Sequence, residues 1–167
     1  MIIFAESDYS MFIRSKTYFL IIAAIVIIGI AFLIKPKLNQ FISEKMQQNV
    51  APEIALSVEQ KIQQQYNYFK NSEDFDFTFL EFSSTGCIEC EEMEPVLKAI
   101  ENAEEVKVNV VFMHIMKPEI QEWMKYYGIS AVPLQVLMDK EGKEFYRHFG
   151  VISTNELLTK FKEQKGI

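Results

Sequence analysis

Cys87-Ile88-Glu89-Cys90 contains the only two cysteines in 167 residues. Two cysteines are too few for a disulfide scaffold, so any cysteine chemistry must come from this pair. The spacing lets the two sulfurs close a disulfide across a first helical turn without distorting it. The positive end of that helix would also stabilise a thiolate on the first sulfur. The same four residues could be half of a zinc site, which needs two more ligands at suitable spacing. The other candidates, His114 and His148, are 34 positions apart in predicted strands and read as structural or exposed. The pair is therefore read as a redox dithiol, with no metal and no cofactor beyond its own disulfide.

Glu81 is the second residue with unusual chemistry. In FDFTFLEF (75–82) the alternation of a strand puts Phe75, Phe77, Phe79 and Glu81 on one face. A carboxylate there is either an edge-strand group turned to solvent or a buried acid. Burial would raise its pKa by desolvation and suit it to take a thiol proton near neutral pH.

The elements that must position these residues follow from periodicity. Pro52 suits the first turn of a helix in which Ile54, Val58, Ile62, Tyr66 and Phe69 recur at four- and three-residue steps. The strand 75–82 leads through SSTG into a helix marked by Met93, Val96, Leu97 and Ile100. KVNVVFMHI (107–115) is nearly continuous in apolar residues, as in a strand covered on both faces. Pro118 opens a helix that Gly128 closes. LQVLM (134–138) and EFYRHF (144–149) flank a turn signal at Asp139–Gly142, and Ser153-x-x-Glu156 is a capping box for a last helix. The order α-β-α-β-α-β-β-α gives an α/β fold, a mixed sheet flanked by helices. Its strand–helix–strand units predict parallel pairing, and its hairpin an antiparallel edge.

Ahead of this domain, residues 17–34 (TYFLIIAAIVIIGIAFLI) carry no charge and are flanked by Arg14, Lys16, Lys35 and Lys37. A helix of that length covers about 27 Å, enough for a bilayer core. A signal peptide is the rival reading, but its best small-x-small cleavage site, Gly29-Ile30-Ala31, lies inside the apolar run. The expected organisation is a short tail (1–16), a transmembrane anchor (17–34), a juxtamembrane stalk (35–52) and a folded domain (53–167). Leu38, Phe41, Ile42 and Met46 could make the stalk a short amphipathic helix; a solvated spacer is the alternative. Flanking lysines and arginines do not decide the orientation.

The net charge of −6 hides a segregation. Residues 73–105 hold eleven carboxylates and one lysine, a local charge of −10, and the remainder of the chain sums to +4. The acidic balance overall argues against a nucleic-acid partner, which would need a basic face toward phosphate.

From Phe75 onward the chain resembles the thioredoxin family. The resemblance rests on Cys87-x-x-Cys90 between a strand and a helix, on Pro95 five residues later, on Val132-Pro133 ahead of a strand, and on Gly150 after the last strand. Ser84-Thr85-Gly86 before Cys87 is similar to bacterial, membrane-anchored members with glycine in place of the usual tryptophan. Two departures are Ile88-Glu89 in place of the usual Gly-Pro, and Glu81 in place of a buried aspartate. The resemblance implies that Cys87 is the nucleophile, Cys90 the resolving cysteine and Glu81 the proton acceptor. It also implies that Gly86, Val132 and Pro133 contact the substrate. The implied activity is thiol–disulfide exchange on disulfide-containing proteins such as apocytochromes, with a membrane electron-transfer protein as donor. Anchored members usually hold the domain outside the cytoplasm, so a periplasmic body is expected. Glu89, Glu91, Glu92 and Glu94 crowd the helix start and disfavour the Cys87 thiolate, which favours a reductase over a strong oxidant; the alternative is that they simply favour the helix dipole and face water. The alternative is a non-catalytic interaction module that holds a membrane-associated partner. Peroxide reduction ranks low, because no peroxidase-type cysteine environment is visible.

Overall fold

A computed structural model describes the backbone of residues 5–166 and the side chains of 18–31 and 33–166. Residues 1–4 of the expected tail lie outside the described residues. The chain divides into two units, residues 1–38 and 39–167. The first consists of most of a long helix, α1 (Ala5–Gln48). Among the described residues, its large apolar side chains between Tyr18 and Ile34 are exposed, Leu33 at 79% and Phe19 at 72%. Among the described residues no single helix is long and apolar enough to cross a membrane. Tyr18–Ala31 and Leu33–Gln48 meet the length and composition requirement only as a pair.

The second unit begins with the last turns of α1, followed by α2 (Pro52–Gln65) and the short α3 (Tyr68–Asn71). Strand β1 (Phe77–Ser83) then leads to α4 (Ile88–Glu101) and β2 (Val108–His114). A 3-10 turn (Pro118–Ile120) precedes α5 (Gln121–Tyr127), the hairpin β3 (Leu134–Met138) and β4 (Glu144–Phe149), and α6 (Thr154–Lys165). Pro52 sits in the first turn of α2, and both halves of the Ser153–Glu156 capping box are made.

The sheet order is β2-β1-β3-β4. Its two faces bury separate clusters. Leu80, Phe82, Leu134 and Val136 join Val58 and Ile62 of α2 and Trp123 and Tyr127 of α5. Phe77, Phe79 and Leu137 pack with Met93 and Ile100 of α4 and with Leu157 and Phe161 of α6. This alternation along β1 and β3 is the period-2 pattern of strands covered on both sides.

Three details correct the sequence reading. Phe69 does not continue the apolar face of α2: the helix ends at Gln65, and Tyr68 turns inward while Phe69 is 66% exposed. Strand β2 is at the edge of the sheet, only partly covered, with Phe112 exposed. Only the first strand–helix–strand unit is parallel, because β3 pairs antiparallel with β1, Leu134 opposite Phe82. Antiparallel pairing brings the start of β3 beside the end of β1. Residues 132–133 therefore meet the loop that carries the cysteines.

Residues 39–48 dock by polar contacts, whereas Phe41, Ile42 and Met46 face outward. Ser43 is fully buried, and its hydroxyl donates to the Tyr127 carbonyl (3.1 Å) while accepting from Arg147 Nη1 (2.9 Å). The rest of the Arg147 guanidinium forks onto Glu144 through Nε and Nη2. Ser130 Oγ donates to the Asn39 carbonyl at 3.0 Å. Gly128 ends α5 in the left-handed region at φ +60°, and a Cβ there would stand 2.3 Å from the Ser43 carbonyl oxygen. Gly128→Ala combines an unfavourable φ with a backbone clash and should cost about 3 kcal/mol. Urea unfolding should show a lower midpoint, and a loss of only about 1 kcal/mol, the φ cost alone, would mean that residues 39–48 are not docked in solution.

Candidate active site

Cys87 is the N-cap of α4. Its backbone is extended (φ −93°, ψ 109°), and its Sγ accepts the backbone N–H of Cys90 at 3.2 Å. Serine and aspartate oxygens commonly occupy this place, and here a sulfur receives the unsatisfied donors of a helix start. Cys87 is half-buried, whereas Cys90, one turn into the helix, is only 5% exposed. The two form a disulfide, with sulfurs 2.18 Å apart and Cα atoms 5.2 Å apart. Gly86 has φ +75°, and a Cβ added there would meet nothing within 4 Å. Conformation rather than space calls for glycine here, where the chain turns from β1 into α4.

The Val132–Pro133 peptide is cis. The Val132 carbonyl oxygen lies 4.0 Å from Cys87 Sγ, and the Pro133 carbonyl accepts the Gly150 N–H at 2.9 Å. The loop is thereby attached to the end of β4 while Val132 faces the disulfide.

Glu81 is fully buried in the middle strand β1, which removes the reading of an edge carboxylate turned to solvent. It lies on the sheet face that α4 covers, with Phe77 and Phe79. Burial pushes its pKa up to about 8, against a weaker lowering by the Gln135 side chain. Gln135 Nε2 donates to Glu81 Oε1 at 3.4 Å, and Glu81 Oε2 and Gln135 Oε1 have no partner. Sequence reasoning misses Gln135, whose one signal is that it is the only polar residue in LQVLM.

His114 is a second residue that the sequence does not mark as part of the site. Its Nδ1 accepts the Met116 N–H (3.3 Å), which leaves the Nε2 hydrogen for Thr85 Oγ1 at 2.9 Å. The ring thus supports the loop just before the cysteines. A cleft of about 240 Å³ opens beside it, lined by Thr85, Gly86, Cys90, Glu91, Phe112 and His114. Glu89, Glu91, Glu92 and Glu94 are all exposed on α4 around the disulfide. Among the described residues no group of three His, Cys, Asp or Glu is arranged to hold a metal ion.

Comparison with known proteins matches residues 62–165 to the thioredoxin-like domain family. No curated protein matches the chain. Among solved structures, a single-site mutant of a thioredoxin from Halobacterium salinarum NRC-1 is 21% identical, with a TM-score of 0.47, over 56% of this chain and 79% of its own. A thioredoxin-like protein from Clostridium perfringens is 25% identical, with a TM-score of 0.49, over 57% of this chain and 75% of its own. A reduced thioredoxin pre-protein from Schistosoma mansoni is 21% identical, with a TM-score of 0.48, over 64% of this chain and 89% of its own.

Proposed function

Because the chain belongs to the thioredoxin-like domain family, we propose that it is a membrane-tethered thiol–disulfide oxidoreductase that reduces protein disulfides. The observation that carries this reading is Cys87 at the head of α4, its sulfur accepting a helix N–H, with Cys90 buried one turn behind it. Such a site distinguishes an accessible attacking sulfur from a protected resolving one.

In the reduced protein, the Cys87 thiolate attacks one sulfur of a partner disulfide. The partner S–S bond breaks, a mixed disulfide forms and one partner thiolate leaves. Cys90 then gives its proton to the Glu81 carboxylate and attacks Cys87 Sγ, releasing the second partner thiolate. Two electrons pass to the partner, and the chain returns to the Cys87–Cys90 disulfide. An external dithiol, which we place in a membrane electron donor, re-reduces it. Val132 supplies a backbone carbonyl beside Cys87 along which an extended substrate segment pairs, with Pro133 and Gly86 flanking the sulfur.

The exposed glutamates on α4 work against a strongly stabilised thiolate, and this supports reduction as the direction of flow. The exposed apolar run of α1 supports a membrane tether ahead of the folded unit that begins at residue 39, and we place the catalytic unit on the extracytoplasmic side. Equilibration with glutathione should give a reduction potential below about −200 mV, on the thioredoxin side of the known range. A value close to that of a strong periplasmic oxidant, about −120 mV, would reverse the assigned direction. Insulin reduction in the presence of dithiothreitol provides the second check, and no turnover by the wild type would favour the non-catalytic module.

A further inference from the structure

Glu81 and Gln135 stand directly opposite each other on β1 and β3, both fully buried. Their single contact is long, and one oxygen on each is left without a partner. An orphaned buried acceptor is costly, and two on one cross-strand pair make an unfavourable arrangement for a structural core. The arrangement becomes sensible once the proton on Glu81 is counted. An ionised carboxylate only accepts, and the amide N–H of Gln135 is the donor it meets. A neutral carboxyl carries an O–H that needs an acceptor, and the amide oxygen of Gln135 is the orphan on the other side. A side-chain amide offers both, since a half-turn of its last torsion exchanges Nε2 and Oε1 in nearly the same volume.

We infer that Gln135 is a positioning residue for proton transfer at the dithiol: its amide donates to Glu81 when the carboxylate is ionised and, turned over, accepts from Glu81 when it is neutral. Gln135 thus keeps both protonation states of Glu81 accessible; on the same face stand Phe112 of β2, opposite Glu81, and His148 of β4, opposite Gln135. It acts through Glu81, to which its side chain is hydrogen-bonded. This inference rests on the proton-acceptor role given to Glu81 above, but its first test needs no turnover.

The test compares wild type with Gln135→Met, which keeps the volume and removes both amide groups. Carbon-detected NMR titration of the Glu81 side-chain carboxyl in the disulfide form should show its midpoint moved to higher pH, by about one unit, because the charge-assisted donor lost by the ionised state is worth more than the acceptor lost by the neutral one. At pH 7 the resolving step should slow about tenfold, the same shift read as a rate. In a Glu81→Gln background Gln135→Met should leave that rate unchanged. An unmoved midpoint, or an equal slowing with and without Glu81, would overturn the inference. A shifted midpoint in a protein that reduces no disulfide would instead support the pairing and refute the reductase reading.

Discussion

Cys87→Ser should lose disulfide reduction to below detection, a fall of at least about a thousandfold, whereas Cys90→Ser should stop one step later and accumulate a mixed disulfide. The asymmetry follows from position. Cys87 Sγ is accessible and sits where the α4 N–H groups stabilise negative charge, so the first attack has no substitute once that sulfur is gone. A serine hydroxyl is not ionised at neutral pH and cannot form the mixed disulfide. Cys90 is 5% exposed and bonded to Cys87, so its loss spares the first exchange and removes the escape from it. Insulin reduction gives the rates, and non-reducing electrophoresis with mass spectrometry detects the trapped species. Trapping by Cys87→Ser and none by Cys90→Ser would exchange the two roles.

Glu81→Gln should change how stability depends on pH. The folded-state pKa of Glu81 is raised by burial to about 8, against an ordinary value near 4.5. Between those values the unfolded chain ionises Glu81 and the folded chain holds the proton. The folded state then binds more protons, so stability falls as pH rises through the window. Below about pH 4.5 both states are neutral and the penalty is absent; it is complete once pH passes about 8. The full loss is at most about 5 kcal/mol, from 1.36 kcal/mol per unit. Urea unfolding of the disulfide form from pH 5 to 8.5 should therefore show the wild type losing stability and Glu81→Gln staying flatter. Parallel curves for the two proteins would show that Glu81 is not held neutral by its surroundings.

Most elements are legible in the sequence because their signals are local. The Pro52 helix start, the Ser153–Glu156 capping box and the Asp139–Gly142 turn each depend on a few adjacent residues, and each is present. Features set by distant partners are not legible. β2 reads as a covered strand because it is apolar, yet its place at the sheet edge depends on which side of β1 the hairpin takes. The antiparallel direction of β3 depends on the end of the sheet at which the chain re-enters after α5. At the site, the cysteines and Val132-Pro133 carry recognisable spacing, and Glu81 stands out among phenylalanines. Gln135 and His114 become meaningful only when the neighbouring strand and loop are in place. The amphipathic pattern of residues 38–46 points to the wrong face. The apolar stripe is outward, and docking runs through Ser43, a residue with no hydrophobic signal.

That docking also constrains the order in which the chain can complete itself. Ser43 and Arg147 are 104 positions apart, and Asn39 and Ser130 are 91 apart. Synthesis runs from the N-terminus, so residues 39–48 leave the ribosome well before either of their partners exists. They cannot settle until the β3–β4 hairpin has been made. The first part of the catalytic unit to be synthesised is thus among the last to be closed. Until then its buried serine is in water, and a chain stalled before Arg147 would hold the cysteines but lack the clasp.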